Sequence, residues 1–304
     1  MKTFACLTLL CALALCGQAT AQDRVTLGWG RLFTNDAIGD LDDRWRTGSY
    51  TFSKLTGPRW GGALPSRLGQ ILEYRFAADI YAPANLTAPA ATDRRYAGAL
   101  SFGVATHLDL GGFDTTLGSG LTLIGPSTGL GKFQDGVHAL LGMSAPTAAL
   151  NDQIGDQVQP YVLTEVSRDL TLGDRVTLRP FIAAQLGAED ILRAGGDLIL
   201  GRFGRSDLLL RDATTGQLYR GIAGDTEPQF SLILGADRAQ VVESVFLPDG
   251  GAAVLTPTRD RLRAGYLWQG EKAFVFSGLT YLSPEFDSQP EGQLVGSLTL
   301  SFDF

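Results

Sequence analysis

Cysteine is scarce in this chain: Cys6, Cys11 and Cys16 are the only three in 304 residues. All lie close to the N-terminus, so the chain beyond Cys16 has neither a disulfide framework nor a thiolate metal site. Histidine is scarcer still, with His107 and His138 alone. Past the first segment no run reaches the roughly 18 apolar residues that a membrane helix needs, which excludes a helical membrane protein. Positive charge is also short, 25 Lys plus Arg against 32 Asp plus Glu, for a formal charge of −7 and a pI near 4.9. A nucleic-acid partner needs a cationic surface to neutralise phosphates, so no nucleic acid is expected. No nucleotide-binding loop, zinc spacing or Gly-x-Ser-x-Gly elbow is present.

Residues 1–21 read as a secretory signal. Lys2 supplies the positive start, residues 4–16 the apolar run, and Ala19-Thr20-Ala21 the small-residue cleavage site. All three cysteines fall inside it. Leu15 ahead of Cys16 is the wrong size for lipoprotein processing. The expected organisation is therefore an export signal, 1–21, followed by one domain, 22–304.

That domain alternates with a period of two. In residues 298–304, Leu298, Leu300, Phe302 and Phe304 share one face, and Thr299, Ser301 and Asp303 the other. The same pattern sets Leu72, Tyr74, Phe76 and Ala78 against Glu73, Arg75 and Asp79, and Tyr50 and Phe52 against Thr47, Ser49, Thr51 and Ser53. A charged face opposite an aromatic one suits a wall between lipid and a polar lumen, and a final strand ending on phenylalanine resembles the assembly signal of bacterial outer-membrane barrels. About twelve such strands are expected, at roughly 24–33, 46–55, 67–81, 95–109, 112–124, 157–169, 174–187, 193–203, 227–243, 253–268, 271–283 and 292–304. The number is even, as a closed bacterial barrel requires, and closure leaves no unpaired edge in hydrocarbon. The expected fold class is all-β, a transmembrane antiparallel β-barrel in the outer membrane with a short helix in one exterior loop.

Strand parity sorts the connections. With both termini in the periplasm, residues 34–45, 82–94 and 125–156 emerge outside, and tight turns such as Gly111-Gly112 and Gln269-Gly270-Glu271 lie inside. Residues 204–226 break the short-inside rule, and an extra hairpin around residues 212–216 is the expected reason.

The loop of residues 124–142 carries a glycine-rich turn, then Gln134 and His138, four apart and so on one face if helical. His138 is the only histidine on a connection; His107 lies within a strand pattern. The exterior loops also bring Asn35, Asp36, the acidic run Asp40, Asp42 and Asp43, Thr47 and the turn Asp93-Arg94-Arg95-Tyr96 to one rim. A histidine beside a carboxamide, a hydroxyl and a carboxylate can activate water, and fixed donors or a cation can stabilise an ester oxyanion. Oxygen-rich, sulfur-free groups favour a hard ion such as calcium, although the acidic run lacks the glycine and terminal glutamate of a helix–loop–helix calcium site.

These residues resemble the outer-membrane lipid A 3′-O-deacylases of Gram-negative bacteria. Asn35-Asp36, Asp43-Arg44-Trp45-Arg46-Thr47-Gly48, Asp93-Arg94-Arg95-Tyr96-Ala97-Gly98, Ile124-Gly125-Pro126 with Gln134 and His138, and Asn151-Asp152-Gln153 are similar to that family's elements and occur in its order. The resemblance implies a twelve-stranded, calcium-using (Ca2+) hydrolase that removes the 3′-linked acyl group of lipid A. His138 would be the general base, with Asn35, Asp36, Thr47 and Gln134 orienting it, binding the ion or holding the ester carbonyl, and Asp36 the metal ligand. Two departures stand out: Ala91, where some relatives carry lysine, and Ser144, where some carry an acid six residues after the histidine. Arg94, Arg95 or Lys132 would then hold the substrate phosphate. The expected assembly is a monomer. Competing readings are a phospholipase on the same kind of barrel and a non-catalytic barrel or narrow pore.

Overall fold

The computed structural model describes residues 24–224 and 226–302. The segment read as an export signal, with its three cysteines, and Asp303 and Phe304 of the terminal alternation lie outside the described residues. Twelve long strands build the wall: β1 (Val25–Asn35), β2 (Trp45–Gly57), β3 (Ile71–Ala82), β4 (Ala97–Asp109), β5 (Asp114–Ile124), β6 (Gln157–Ser167), β8 (Val176–Leu186), β9 (Glu189–Leu200), β12 (Gln229–Ser244), β13 (Thr258–Gln269), β14 (Ala273–Leu282) and β15 (Gln293–Phe302). A two-residue strand, β7 (Leu170–Thr171), hangs on β8. Neighbours pair antiparallel, β15 returns to β1, and β6 pairs with β8, so the ring closes. The expected barrel, its strand number and its even parity are all observed.

Alternation decides the two faces. Phe33, Phe102, Leu121, Ile182, Leu262, Tyr266 and Leu300 are exposed on the outer surface, while Ser53, Glu73, Asp197, Arg263 and Ser297 are buried in the lumen. An apolar outer band and a polar interior are what a lipid-embedded barrel needs. Inside, charges pair rather than stand alone. Arg263 bonds Asp197 and Asp237, Arg211 reaches Asp197 at 2.9 Å and Glu165 at 3.0 Å, and Glu73 joins Arg75 at 2.6 Å. Pairing of this kind offsets the cost of desolvating ions. His107 belongs to this interior, with Nε2 2.9 Å from Glu73 and Nδ1 3.0 Å from Thr116.

The fold accounts for residues 204–226. They carry β10 (Leu208–Arg211) and β11 (Leu218–Ile222), a separate two-stranded hairpin whose turn runs through Asp212 to Gly216. Leu208, Leu210, Leu218, Tyr219 and Ile222 are buried against Leu32, Leu55, Ile71, Ile233, Leu267 and Phe276 of the wall. The hairpin therefore folds into the lumen from the turn rim, with Asp212 accepting a bond from Thr51 at 3.0 Å and Thr214 donating to Asp79 at 2.9 Å. β1 and β15 pair only over Phe33–Asn35 and Gly296–Leu298. Below that, β11 lies against β1, where Gly28 faces the carbonyl of Gly221 so closely that a Cβ would collide with it.

The other rim carries the long loops. Residues 125–156 hold α1 (Leu130–Leu141) and α2 (Thr147–Asn151). Gly129, left-handed at φ 74°, starts α1, and Gly142, left-handed at φ 69°, ends it. Among the described residues no helix is long and apolar enough to cross a membrane.

Candidate functional site

The site lies outside the barrel wall, between α1 and the upper ends of β1 to β4. On β4 the outward set is Phe102 and Val104, and the same alternation puts Gly98 outward. A Cβ on Gly98 would stand 2.7 Å from Thr128 Oγ1 and 2.9 Å from Leu130 Cβ, so the start of α1 rests directly on the outer surface of the wall. Only glycine permits this approach. Gln134 and His138, one helical turn apart, are the two buried side chains of α1.

They meet the β1–β2 loop. Asn35 caps a short turn, Asp36–Ile38, by accepting from the Ala37 N–H at 2.9 Å, and its amide donates to the Thr47 carbonyl at 2.8 Å. Asp36 is buried and accepts from the Arg44 N–H at 2.9 Å. The β2–β3 register slips between Arg46 and Gly48, leaving Thr47 on a bulge. Thr47 Oγ1 then donates to Asp43 Oδ1. Gln134 Nε2 donates to both Asp43 oxygens, at 3.1 and 3.2 Å, and His138 Nε2 lies 2.6 Å from Asp43 Oδ2. Two residues of this loop, Leu41 at φ 68° and Trp45 at φ 49°, have left-handed backbones without being glycine. Such conformations cost on the order of 1–3 kcal/mol each and persist where surrounding bonds over-determine them. Here Gln293 brackets Trp45, accepting from the Arg46 N–H at 2.9 Å and donating to the Arg44 carbonyl at 2.5 Å, while the Leu41 N–H donates to the Asp36 carbonyl at 3.1 Å.

Asn35, Asp36, Thr47, Gln134 and His138 are thus brought together at one rim. The residue at their centre, Asp43, is expected on this rim only as one of an acidic run, with no role of its own. It sits in an acidic run whose other members do something else: Asp40 and Asp42 pair with Arg44 at 3.1 and 3.5 Å. Its place at the head of Asp43-Arg44-Trp45-Arg46-Thr47-Gly48 is the signal in the sequence that could have found it. Ser144 serves through its backbone, its carbonyl accepting from His138 Nδ1 at 2.7 Å.

The cationic candidates diverge. Arg94 turns inward, its guanidinium 2.6 Å from Glu285 and stacked over Tyr81, so it is not presented to a ligand outside. Burial lowers its pKa; Glu285, despite its own burial, is held well below the carboxylate range by Arg259, Arg46 and Arg94. Arg95 faces outward and clamps the Gln153 carbonyl at 2.7 Å, bracing the end of the α2 loop. Lys132 is exposed on α1. A lumen cavity of ≈ 210 Å³, lined by Arg46, Asp79, Glu189 and Arg259 among others, includes none of the site side chains.

The residues suit a hard cation in kind. Their candidate ligand atoms are oxygens: the Asp36 and Asp43 carboxylates, already hydrogen-bonded within the loop, and Gln134 Oε1, which is buried with no hydrogen-bond partner. Burial pushes the Asp36 carboxyl up to about 8; the Arg44 N–H opposes this and the neighbouring Asp43 carboxylate adds to it. Two carboxylates this close form a cation-seeking pair. Among the described residues there is no group of three or more His, Cys, Asp or Glu able to hold a metal, so solvent or substrate oxygens must complete any coordination shell.

The family described as outer membrane protein LpxR matches residues 4–304. Among solved structures, LpxR from Salmonella typhimurium is similar with a TM-score of 0.74 at 17% identity, covering 91% of this chain and 100% of that one. The β-domain of the Bordetella autotransporter BrkA aligns with a TM-score of 0.42 at 11% identity, covering 91% of this chain and 99% of that one. No curated protein matches. With a twelve-stranded outer-membrane barrel and a match spanning nearly the whole sequence, the chain belongs to the LpxR family of outer membrane proteins.

Proposed function

We propose that this protein is a calcium-dependent lipid A 3′-O-deacylase, acting as a monomer in the outer leaflet. Family membership supports an outer-membrane enzyme that modifies lipid A. The observation that carries the finer reading is the contact of His138 with Asp43 on the lipid-facing side of the wall, at the rim of the long loops. A headgroup ester lies at that depth.

A carbonyl only accepts, so Nδ1 of His138 donates to Ser144 and the ring is fixed with Nε2 as its reactive nitrogen. The 2.6 Å contact of Nε2 with Asp43 requires one proton between them; when Asp43 turns away and that proton passes to solvent, the Nε2 lone pair is free to take a proton from a water. The water oxygen attacks the acyl carbon while Nε2 takes its proton, and the imidazolium returns a proton to the departing 3′ sugar oxygen. The products are a free sugar hydroxyl and the acyloxyacyl acid. Thr47 and Asn35 hold the loop that carries Asp43 and Asp36. Asp36, Asp43 and Gln134 Oε1 would hold calcium, which supplies Lewis-acid stabilisation of the charge developing on the ester oxygen. Lys132 is the outward cation available to a substrate phosphate; Arg95 also faces outward but is paired with Asp152 at 3.0 Å.

The test is mass spectrometry of lipid A incubated with the protein in membranes. With calcium, lipid A loses one 3′ acyl unit; with a chelator it does not. Unchanged spectra from correctly folded, calcium-supplied protein reject the reading, and fatty acid released from phospholipid instead would replace it with a phospholipase.

A further inference from the structure

α1 buries one face in the site and leaves another bare. Phe133, Val137, Leu140 and Leu141 follow the i, i+4, i+7, i+8 spacing of a single helical stripe. Phe133 is 64% exposed, Leu140 84% and Leu141 65%. Lys132, Asp135 and Gly136 lie on the opposite flank and are also exposed. Met143, just past the helix, and Leu41 and Ile38 on the facing β1–β2 loop are exposed too. Both loops that build the site therefore present large apolar side chains without a covering. A soluble loop does not keep such a patch in water without a partner.

The geometry points to lipid acyl chains of the surrounding leaflet as that partner: α1 is an interfacial helix seated in the bilayer beside the wall, not a cap standing in water above the barrel. The contact at Gly98 carries this. It sets the first turn of α1 on the outward face of β4, directly above Phe102 and Val104, and next to a strand that presents Leu121. The bare stripe is thus continuous with the apolar band that already faces hydrocarbon. An amphipathic helix with a charged flank lies in the interface plane, apolar side down. This seating is independent of the reaction and stands whether or not lipid A is cleaved.

Spin labels test it on the full-length mature barrel in phosphatidylethanolamine/phosphatidylglycerol vesicles. All three cysteines lie in the segment 1–21, so single-cysteine variants at exposed positions carry one label each. Phe133→Cys, Leu140→Cys and Leu141→Cys are compared with Lys132→Cys and Asp135→Cys, using Phe102→Cys as the lipid-facing reference. The expected result is relaxation dominated by dissolved oxygen at 133, 140 and 141, as at 102, and several-fold more relaxation by a water-soluble nickel chelate at 132 and 135. Equal nickel access at all five loop positions overturns the proposal. So does dipolar broadening at position 140, which would mean that a second copy of the chain covers the stripe. Heat-dependent gel migration verifies that each labelled barrel is folded. In a Leu140→Asp, Leu141→Asp background the label at 133 is expected to shift to nickel access with that migration unchanged; retention of oxygen dominance there counts against lipid seating by the stripe.

Discussion

His138 and Asp43 face each other across two loops, 95 residues apart in sequence, with Nε2 2.6 Å from Oδ2. The other ring nitrogen is 2.7 Å from the Ser144 carbonyl. Both nitrogens are therefore occupied, and in the proposed mechanism Asp43 holds the place of the attacking water, so turnover would require that contact to open.

Replacing Asp43 by Asn keeps the shape and removes the charge. Deacylation by Asp43→Asn is expected to need a higher calcium concentration for half-maximal rate, with Asp43→Glu intermediate. A calcium titration of lipid A turnover measures this; an unchanged midpoint would show that Asp43 does not respond to the cation.

His138→Ala is expected to lower turnover by about 10²–10⁴-fold, the usual worth of a general base. The barrel should be unaffected, because the side chain is anchored in loops rather than in the wall. Time courses of lipid A mass loss, together with gel migration of unheated protein, separate the two effects.

Gly98→Val probes positioning without touching any polar group of the site. The added branches must push Thr128 and Leu130 off the wall, and α1 with them. Turnover is expected to drop sharply while calcium half-saturation and wall stability change little. Full activity in this variant would mean that α1 need not rest on β4.

Asp36 makes calcium-free stability depend on pH. Its folded pKa of about 8 exceeds the ordinary carboxyl value of 3.8. The folded state thus holds a proton that the unfolded state has lost, so stability is full below about pH 4 and falls as pH rises towards 8. Asp36→Asn should flatten that slope. Saturating calcium should raise the unfolding temperature of the parent protein, by about 2.7 kcal/mol of stability at 100-fold excess over Kd. The variant should show little of this rise.

The inner hairpin predicts a closed lumen. The parent protein should not conduct in planar bilayers, whereas replacing residues 208–222 by a short turn should open steps of ionic current. Steady conductance by the parent would contradict the packing of Leu210, Tyr219 and Phe276.

Much of the wall was legible because lipid and lumen impose opposite chemistry on alternate residues, as at Tyr74 and Phe76 against Glu73 and Arg75. Parity then assigns Asn35, Thr47 and His138 to one rim. The hairpin was not legible as a lumen element. Leu208, Leu209 and Leu210 are consecutive and all buried, since its strands are enclosed on both sides and show no alternation. β9 begins at Glu189, earlier than the expected 193, because Glu189 points at Ser244 and Arg259 inside the mouth and its charge is masked there. Arg94 and Arg95 are indistinguishable in sequence; only the position of Glu285, 191 residues away, separates them.

The short seam between first and last strands bears on how the molecule is made. Gly28 and Gly30 press on Gly221 and Tyr219, so the inserted segment completes the cylinder where those two edges part. A cylinder sealed beforehand would have to admit this bulky insert, with its ion pairs, through a narrow end. The order expected from this packing is that the insert docks on the nascent sheet before the edges zip.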